Sequence, residues 1–315
     1  TLKESNLKVN SEEEFNSIFE QSYPVLKQMF EGKRINKEVN LDATNGVENQ
    51  FYVNLGNNKF KEIASQVGLN STRYTLAAAA VDYNNDGYMD LHVINDFGYD
   101  QVYINQKGKF FTEKAKELNL ADRGNGMNIS IVDLNNDNYF DSYITLVDMF
   151  AKRLRFKFPT KKSTFSLDQS ILNTSFYLTG NKLFLNDKFN FNINFNTFNF
   201  EPAELGWGWG ATFFDYENDT DLDLYIANGY KKNSIADKEQ NHFFISDNSN
   251  FYLVEKDPVL IRKNSRAVLS LDLENNGYLD LVISNYDEPP QLFKNNSLEN
   301  NNWLKIKLYS HRVNS

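Results

Sequence analysis

The sequence contains no cysteine and only three histidines among its 315 residues. The lack of cysteine excludes disulfide bonds, thiolate metal sites and a cysteine nucleophile. No apolar run reaches the roughly 18 residues that a membrane-spanning helix needs. The chain also shows no glycine-rich phosphate loop, no nucleophile elbow and no motif that pairs histidine with a nucleophile. These absences predict that the protein is not an enzyme of a common class and has no transmembrane segment.

Positive charge is also scarce, since 33 basic residues face 42 acidic ones and the formal net charge is -9. An acidic surface argues against nucleic acid as a partner. One basic stretch, "AKRLRFKFPTKKSTF" at 151–165, interrupts this pattern, and we expect it to be an inserted loop that meets a protein partner. Aromatic residues make up 15% of the chain, with 26 Phe and 17 Tyr, and they favour β-strands.

The chain repeats itself from residue 49 onward. "NQFYVNLGNNKFKEI" at 49–63 recurs as "DQVYINQKGKFFTEK" at 100–114, "NKLFLNDKFNFNINF" at 181–195 and "NHFFISDNSNFYLVE" at 241–255, and "PQLFKNN" at 290–296 begins a fifth copy. Each complete copy precedes an acidic loop that leads into an apolar strand. The four loops are "DYNNDGYMD" from Asp82, "DLNNDNYFD" from Asp133, "DYENDTDLD" from Asp215 and "DLENNGYLD" from Asp272.

Repeats of about 40–50 residues with several short strands are typical of β-propeller blades. We therefore predict an all-β fold, a β-propeller whose blades carry these loops, with a short N-terminal helical segment. Ser11 and Glu14 form a capping box at the start of that helix. The predicted domains are an N-terminal helical or linker segment at 1–48, propeller blades at 49–297 with an insertion at about 150–180, and a further segment at 298–315.

Each acidic loop offers side-chain oxygens at positions 1, 3, 5 and 9 and a backbone carbonyl at position 7. An all-oxygen set suits a hard cation, which indicates Ca2+ before Mg2+. None of the four loops contains His or Cys, which argues against zinc and copper. Position 12 carries no glutamate, so these loops are not EF-hands. The predicted ligands are Asp82, Asn84, Asp86, Tyr88 and Asp90; Asp133, Asn135, Asp137, Tyr139 and Asp141; Asp215, Glu217, Asp219, Asp221 and Asp223; and Asp272, Glu274, Asn276, Tyr278 and Asp280.

Position 6 of each loop needs a sharp turn at positive φ, which glycine adopts freely and asparagine tolerates. Gly87, Asn138 and Gly277 meet this requirement. Thr220 does not, because a β-branched residue is strained at positive φ. We therefore expect a distorted turn in the third loop.

With these loops the chain resembles the FG-GAP/VCBS repeat proteins, and more narrowly those in which such repeats precede an ASPIC/UnbV domain, related to cartilage acidic protein. The closest stretch is "ELGWGWGATFFDYENDTDLDLYIANGY" at 204–230, and "NNWLKIKLYSHRVNS" at 301–315 resembles the first strand of a truncated UnbV segment. The resemblance implies calcium in the loop that joins the first two strands of each blade. The chain departs from the family pattern at Asn138, Glu217, Thr220, Glu274 and Asn276.

The "GWGWG" motif at 206–210 allows two interpretations. Trp207 and Trp209 could form a platform on which a sugar stacks, with glycines that let the ligand approach. Alternatively, the alternation reflects blade packing, with one tryptophan turned inward and glycines that allow sheets to lie close together. The second interpretation is favoured.

These patterns predict a calcium-stabilised, non-catalytic binding module at the cell surface or outside the cell, from a larger exported bacterial protein. Its expected partner is a protein or a carbohydrate. Two alternatives stay open: a calcium-dependent polysaccharide lyase or hydrolase on a propeller fold, and a subunit of an outer-membrane or surface assembly. Fold alone does not decide between them.

Overall fold

A computed structural model describes residues 43–147, 180–193, 205–230, 238–247, 250–296 and 301–307. The predicted helical segment lies outside these residues except for 43–48, which contain no helix. The insertion expected at about 150–180 and the basic stretch at 151–165 also fall outside them, apart from residue 180. Residues 301–307 of the predicted C-terminal segment form no strand.

The described residues form short β-strands and one four-residue helix, and none of their helices is long and apolar enough to cross a membrane. The elements in chain order are β1 (Tyr52–Asn54), β2 (Phe60–Glu62), α1 (Ala64–Val67), β3 (Tyr74–Val81), β4 (Asp90–Asp96), β5 (Gly98–Tyr99), β6 (Gln101–Asn105), β7 (Phe111–Glu113), β8 (Arg123–Gly124), β9 (Gly126–Val132), β10 (Asp141–Leu146), β11 (Lys182–Asn186), β12 (Phe191–Ile193), β13 (Gly208–Phe214), β14 (Asp223–Asn228), β15 (His242–Asp247), β16 (Asn250–Leu253), β17 (Ser265–Leu271), β18 (Asp280–Asn285) and β19 (Glu288–Phe293).

Four antiparallel sheets form the blades of a β-propeller arrangement. Their strand orders are β3-β4-β6-β7, β9-β10-β11-β12, β13-β14-β15-β16 and β17-β18-β19. The first strands of successive blades, β3, β9, β13 and β17, contact one another in turn. This places the first strands along the axis of the arrangement and the later strands further out. The predicted all-β propeller fold is confirmed.

The hairpin repeats found in the sequence form the outer part of a blade. The copy at 100–114 forms β6 and β7, which continue the sheet begun by β3 and β4. A blade therefore consists of an acidic loop with its two flanking strands, followed by the next hairpin along the chain. The first hairpin, β1 and β2, forms a separate two-stranded sheet within the described residues.

Small residues let the first strands of neighbouring blades lie close together. β3 contains four consecutive alanines, 77–80. A Cβ atom added to Gly210 in β13 would lie 3.0 Å from the carbonyl oxygen of Arg266 in β17. A larger residue at 210 would therefore force the third and fourth blades apart.

Three apolar clusters lie between neighbouring blades. Between the first and second blades, Tyr83 and Ile94 pack with Ile144, Phe184 and Phe191. Equivalent clusters fill the next two junctions. Since each cluster draws side chains from two blades, burial of these apolar groups holds neighbouring sheets together.

Candidate metal centres in the blade loops

Each acidic loop joins the first two strands of its blade. Residues 82–90 connect β3 to β4, and the loops from Asp133, Asp215 and Asp272 connect β9 to β10, β13 to β14 and β17 to β18. Because every first strand runs toward its loop, all four loops lie at the same end of the blades. This agrees with the position implied by the family resemblance.

The aspartate at position 1 shapes each loop by accepting two backbone N–H groups. Its two carboxylate oxygens bind the amides of positions 5 and 6 at 2.8–3.1 Å in all four loops. In the first loop the donors are Asp86 and Gly87, and the acceptor is Asp82. The carboxylates at position 1 are Asp82, Asp133, Asp215 and Asp272.

The aspartate at position 9 is buried and links the loop to the outer hairpin of the same blade. One oxygen of Asp90 accepts the N–H of Tyr83 at position 2, and the other accepts that of Asn105 at the end of β6. Asp141, Asp223 and Asp280 repeat this pair of bonds, all at 2.6–3.3 Å. All four carboxylates are at most 3% exposed.

Positions 3 and 5 lie on the exposed side of the first loop. The side chain of Asn84 accepts the amide of Asp86, whose own carboxylate accepts the amide of Tyr88 at position 7. The third loop has Glu217 at position 3, and one of its carboxylate oxygens is buried with no hydrogen-bond partner among the described residues. An unpaired buried carboxylate oxygen is costly and favours a cation nearby.

The expectation of a distorted third turn is wrong. Thr220 adopts φ of 79°, close to the 87° of Gly87 and Gly277 and the 67° of Asn138. Its amide bonds to Asp215 at 2.9 Å, as the equivalent amides do in the other loops. The paired hydrogen bonds to the carboxylate hold the threonine in its strained conformation, so the strain is stored in the loop instead of distorting it.

Sequence reasoning missed a second turn position. Position 4 is asparagine in all four loops and adopts φ of 53–58° at Asn85, Asn136, Asn218 and Asn275. Asparagine is among the few residues that tolerate this left-handed conformation. The fourfold recurrence of Asn at one position was the signal in the sequence that could have identified it.

Burial and mutual repulsion make several of these carboxylates hold protons more tightly than usual. Burial, followed by the charges of Asp86 and Asp82, raises the pKa of Asp90 to about 6. Burial and like charges raise the pKa of Asp141 to about 6 in the same way. Burial and the charges of Glu217 and Asp219 raise the pKa of Asp223 to about 8. A bound cation would relieve this repulsion.

The loops supply the donor chemistry for a hard cation, but their side chains are not gathered around one point. Within the described residues no three Asp, Glu or His side chains form a group that could hold a metal ion. The carboxylates at positions 1 and 9 instead point toward backbone amides. Each oxygen that accepts one N–H keeps a second lone pair for an ion.

The end of the blades opposite the loops carries an aromatic stack. Trp207 is 7% exposed and lies face to face with Tyr230, with ring centres 4.4 Å apart. The Arg266 guanidinium lies 4.3 Å from the ring centre of Trp209. Because protein groups pack against these ring faces, the arrangement agrees with the packing interpretation of "GWGWG".

Comparison with protein families identifies the repeat. A model described as FG-GAP-like repeat matches residues 41–93 and 82–144. Both matches contain the first acidic loop, and the second extends through the next loop. Residues 41–144 of this β-propeller therefore match the FG-GAP-like repeat. No curated protein matches the sequence.

Two solved structures are distantly similar. The exotype rhamnogalacturonan lyase YesX aligns with a TM-score of 0.36 and 9% identity, over 69% of this chain and 40% of that one. The V. cholerae biofilm matrix protein Bap1 aligns with a TM-score of 0.32 and 13% identity, over 77% of this chain and 38% of that one. The chain thus spans about two fifths of the length of these proteins.

Proposed function

We propose that the protein is a calcium-stabilised, non-catalytic binding module that acts at the cell surface or outside the cell. Each of the four loops would hold one Ca2+ with the side chains of positions 1, 3, 5 and 9 and the carbonyl of position 7. The ion would supply positive charge to the carboxylates and join each loop to its blade. The expected partner of the protein is another protein or a carbohydrate. The similarity of residues 301–315 to the UnbV segment belongs to the same proposal.

One observation carries the calcium proposal: four buried aspartates recur at position 9, each beside further carboxylates and without histidine or cysteine. Taking a carboxylate out of water is unfavourable unless an opposite charge or hydrogen bonds compensate for it. Two amide bonds compensate in part, yet the pKa values of Asp90, Asp141 and Asp223 are still raised. Oxygen donors at alternate loop positions match the 6–8 oxygens that Ca2+ prefers.

Removal of calcium tests the proposal. An ion that binds only the folded state raises the melting temperature, so EDTA should lower it by about 5 °C or more for a domain of this size. Asp133→Ala should remove part of the calcium-dependent shift. Asp247→Ala, which changes an exposed aspartate outside the loops, is the control. An identical melting curve with calcium and with EDTA, after metal removal is verified, would exclude the structural role.

The non-catalytic part of the proposal is tested separately with a panel of acidic and neutral polysaccharides. We expect binding or no interaction, with every polymer recovered at its original length. New reducing ends or unsaturated products that require the intact protein would replace this proposal with the lyase or hydrolase alternative.

A further inference from the structure

Residues 301–307, which we call the clasp segment, lie across the third and fourth loops. The Asn301 side-chain amide donates to the backbone carbonyl of Glu217 in the third loop at 3.0 Å. The Lys305 ammonium donates to the side-chain oxygen of Asn275 in the fourth loop at 2.6 Å. Between these two contacts, the Trp303 indole covers Gly277. The clasp segment therefore contacts two loops that belong to different blades.

Gly277 has a role that the turn alone does not explain. A Cβ atom added there would lie 2.1–2.2 Å from the atoms of the Trp303 ring, whereas one added to Gly87 would meet nothing within 4 Å. Both glycines have φ of 87°, and the same turn position is occupied by Asn138 and Thr220 in the other loops. Since the turn accepts residues with a Cβ, the indole contact is what requires glycine at 277.

The contacts fall on residues next to the proposed calcium ligands. Asn275 and Gly277 flank Asn276 at position 5, and the Glu217 carbonyl belongs to the residue at position 3 of the third loop. The clasp segment thus restrains the backbone that orients these ligands. A segment that favours one loop conformation and an ion that favours the same conformation must strengthen each other's binding.

We propose that docking of the clasp segment and calcium binding in the third and fourth loops are coupled. The coupling rests on the proposed calcium function but is a separate property, because the contacts of Asn301, Trp303 and Lys305 described above fall on the third and fourth loops. Trp303 is 46% exposed, and burial of about half of an aromatic side chain changes binding by about three- to tenfold.

The docking contact can be tested without any ion. In EDTA, hydrogen exchange of the 301–307 amides should be about three- to tenfold faster in Gly277→Ala than in the parent protein. Gly87→Ala is the matched control, because it has the same φ and nothing near the added Cβ. Trp303→Ala removes the ring without changing the loop and should reproduce the effect. Equal exchange in the parent, Gly277→Ala and Trp303→Ala would overturn the proposal.

Calcium titration tests the coupling itself. Calcium should slow exchange of the clasp segment in the parent protein, and Trp303→Ala should weaken the calorimetric affinity of some sites by about three- to tenfold and leave the rest unchanged. Lys305 is left unchanged in these variants, because loss of its positive charge near the fourth loop would itself favour calcium binding. If calcium binds but Trp303→Ala leaves every affinity unchanged, the coupling alone fails. If calcium does not bind at all, the proposed function and the coupling both fail.

Discussion

At the residue scale, Thr220 shows how strongly the loop imposes its backbone. Its φ of 79° crowds a β-branched side chain against its own peptide groups. The N–H groups of Asp219 and Thr220 both bond to Asp215, which holds the turn in place. The third loop therefore carries backbone strain at Thr220 that a glycine at the same position would not cause.

Replacing this threonine should stabilise the protein. Thr220→Gly removes the crowding and should raise the free energy of unfolding by about 1 kcal/mol, measured by urea denaturation. The reverse change in the first loop, Gly87→Thr, should lower it by a similar amount. A lower stability for Thr220→Gly would show that the threonine side chain has a favourable contact that outweighs the strain.

A buried hydrogen-bonded group lies between the first and second blades. The Tyr83 hydroxyl contacts the Nδ1 atom of His92 at 2.8 Å and the hydroxyl of Ser142. Burial lowers the pKa of His92 to about 3, and its Nε2 atom is buried without a hydrogen-bond partner among the described residues. Within the part of the chain that the structure describes, Tyr83 is therefore the hydrogen-bond partner on which the buried His92 ring depends.

Tyr83→Phe should therefore destabilise the protein more than loss of a hydroxyl at the surface. We expect a decrease of about 1–3 kcal/mol in the free energy of unfolding, because the His92 ring is left without a partner. Tyr252→Phe, at a residue that is 52% exposed, is the control and should have little effect. Equal effects of the two changes would mean that the Tyr83 hydrogen bonds contribute nothing net.

At the scale of elements, asparagines from the outer hairpins connect neighbouring blades. The Asn186 side chain donates to the carbonyls of Tyr83 in the first loop and Phe140 in the second. Asn295 donates in the same way to the carbonyl of Tyr216 in the third loop. In the third blade the equivalent residue, whose N–H also bonds to the aspartate at position 9, is Ser246. It lies beside a cavity of about 20 Å³. The shorter side chain leaves room there for one water molecule.

Ser246→Asn should fill this cavity and add the missing connection. Leu134 and Leu222 line the cavity. They occupy loop positions 2 and 8, the same positions as the two residues whose carbonyls accept the Asn186 side chain. The new bonds should raise the free energy of unfolding by about 0.5–1.5 kcal/mol, measured by thermal and urea denaturation. Asn186→Ser should cause a loss of at least that size. A destabilising Ser246→Asn would show that the cavity cannot accept the larger side chain.

The elements could be predicted from the sequence only where the pattern was local and repeated. The hairpins and loops recur in register, so their strands follow from the chain alone. The sequence does not show which hairpin completes which blade. That depends on pairings such as that of β4 with β6, which the repeat pattern does not specify. The same holds for the clasp segment, since its contacts with Glu217 and Asn275 join residues that are 84 and 30 positions apart.

At the scale of the whole molecule, the loop carboxylates should make stability depend on pH. The raised pKa values of Asp90, Asp141 and Asp223 mean that the metal-free folded protein binds more protons than the unfolded chain between about pH 8 and 5. Their contribution is present at low pH and is lost as pH rises through these values. His92 acts in the opposite direction, since its lowered pKa costs stability below about pH 6.5.

Melting curves with EDTA should therefore shift upward as the pH falls from 8 toward 5. Saturating calcium should reduce or remove this trend, because the ion replaces the protons on the same carboxylates. Asp223→Asn, which removes the group with the highest of these pKa values, should flatten the curve in EDTA. A metal-free protein whose melting temperature falls steadily over this range would contradict the assignment of these pKa shifts.

The fold as a whole was the most predictable feature, because the same sequence pattern occurs four times and each occurrence predicts a blade. The site was predicted less completely. Residue types and spacing identify oxygen donors, but they do not show that the carboxylates of Asp82 and Asp90 already bind backbone amides. They also do not show that Lys294 forms an ion pair with Glu274 at position 3 of the fourth loop. Such pairings depend on neighbouring strands rather than on the loop sequence.

The two ends of the blades are chemically separate. All four acidic turns lie at one end, while the chain passes through Val147 and Tyr230 at the other, next to the tryptophans. Substitutions in the acidic turns can consequently leave the far end untouched, so a ligand screen with such variants would report on which end a newly found ligand occupies.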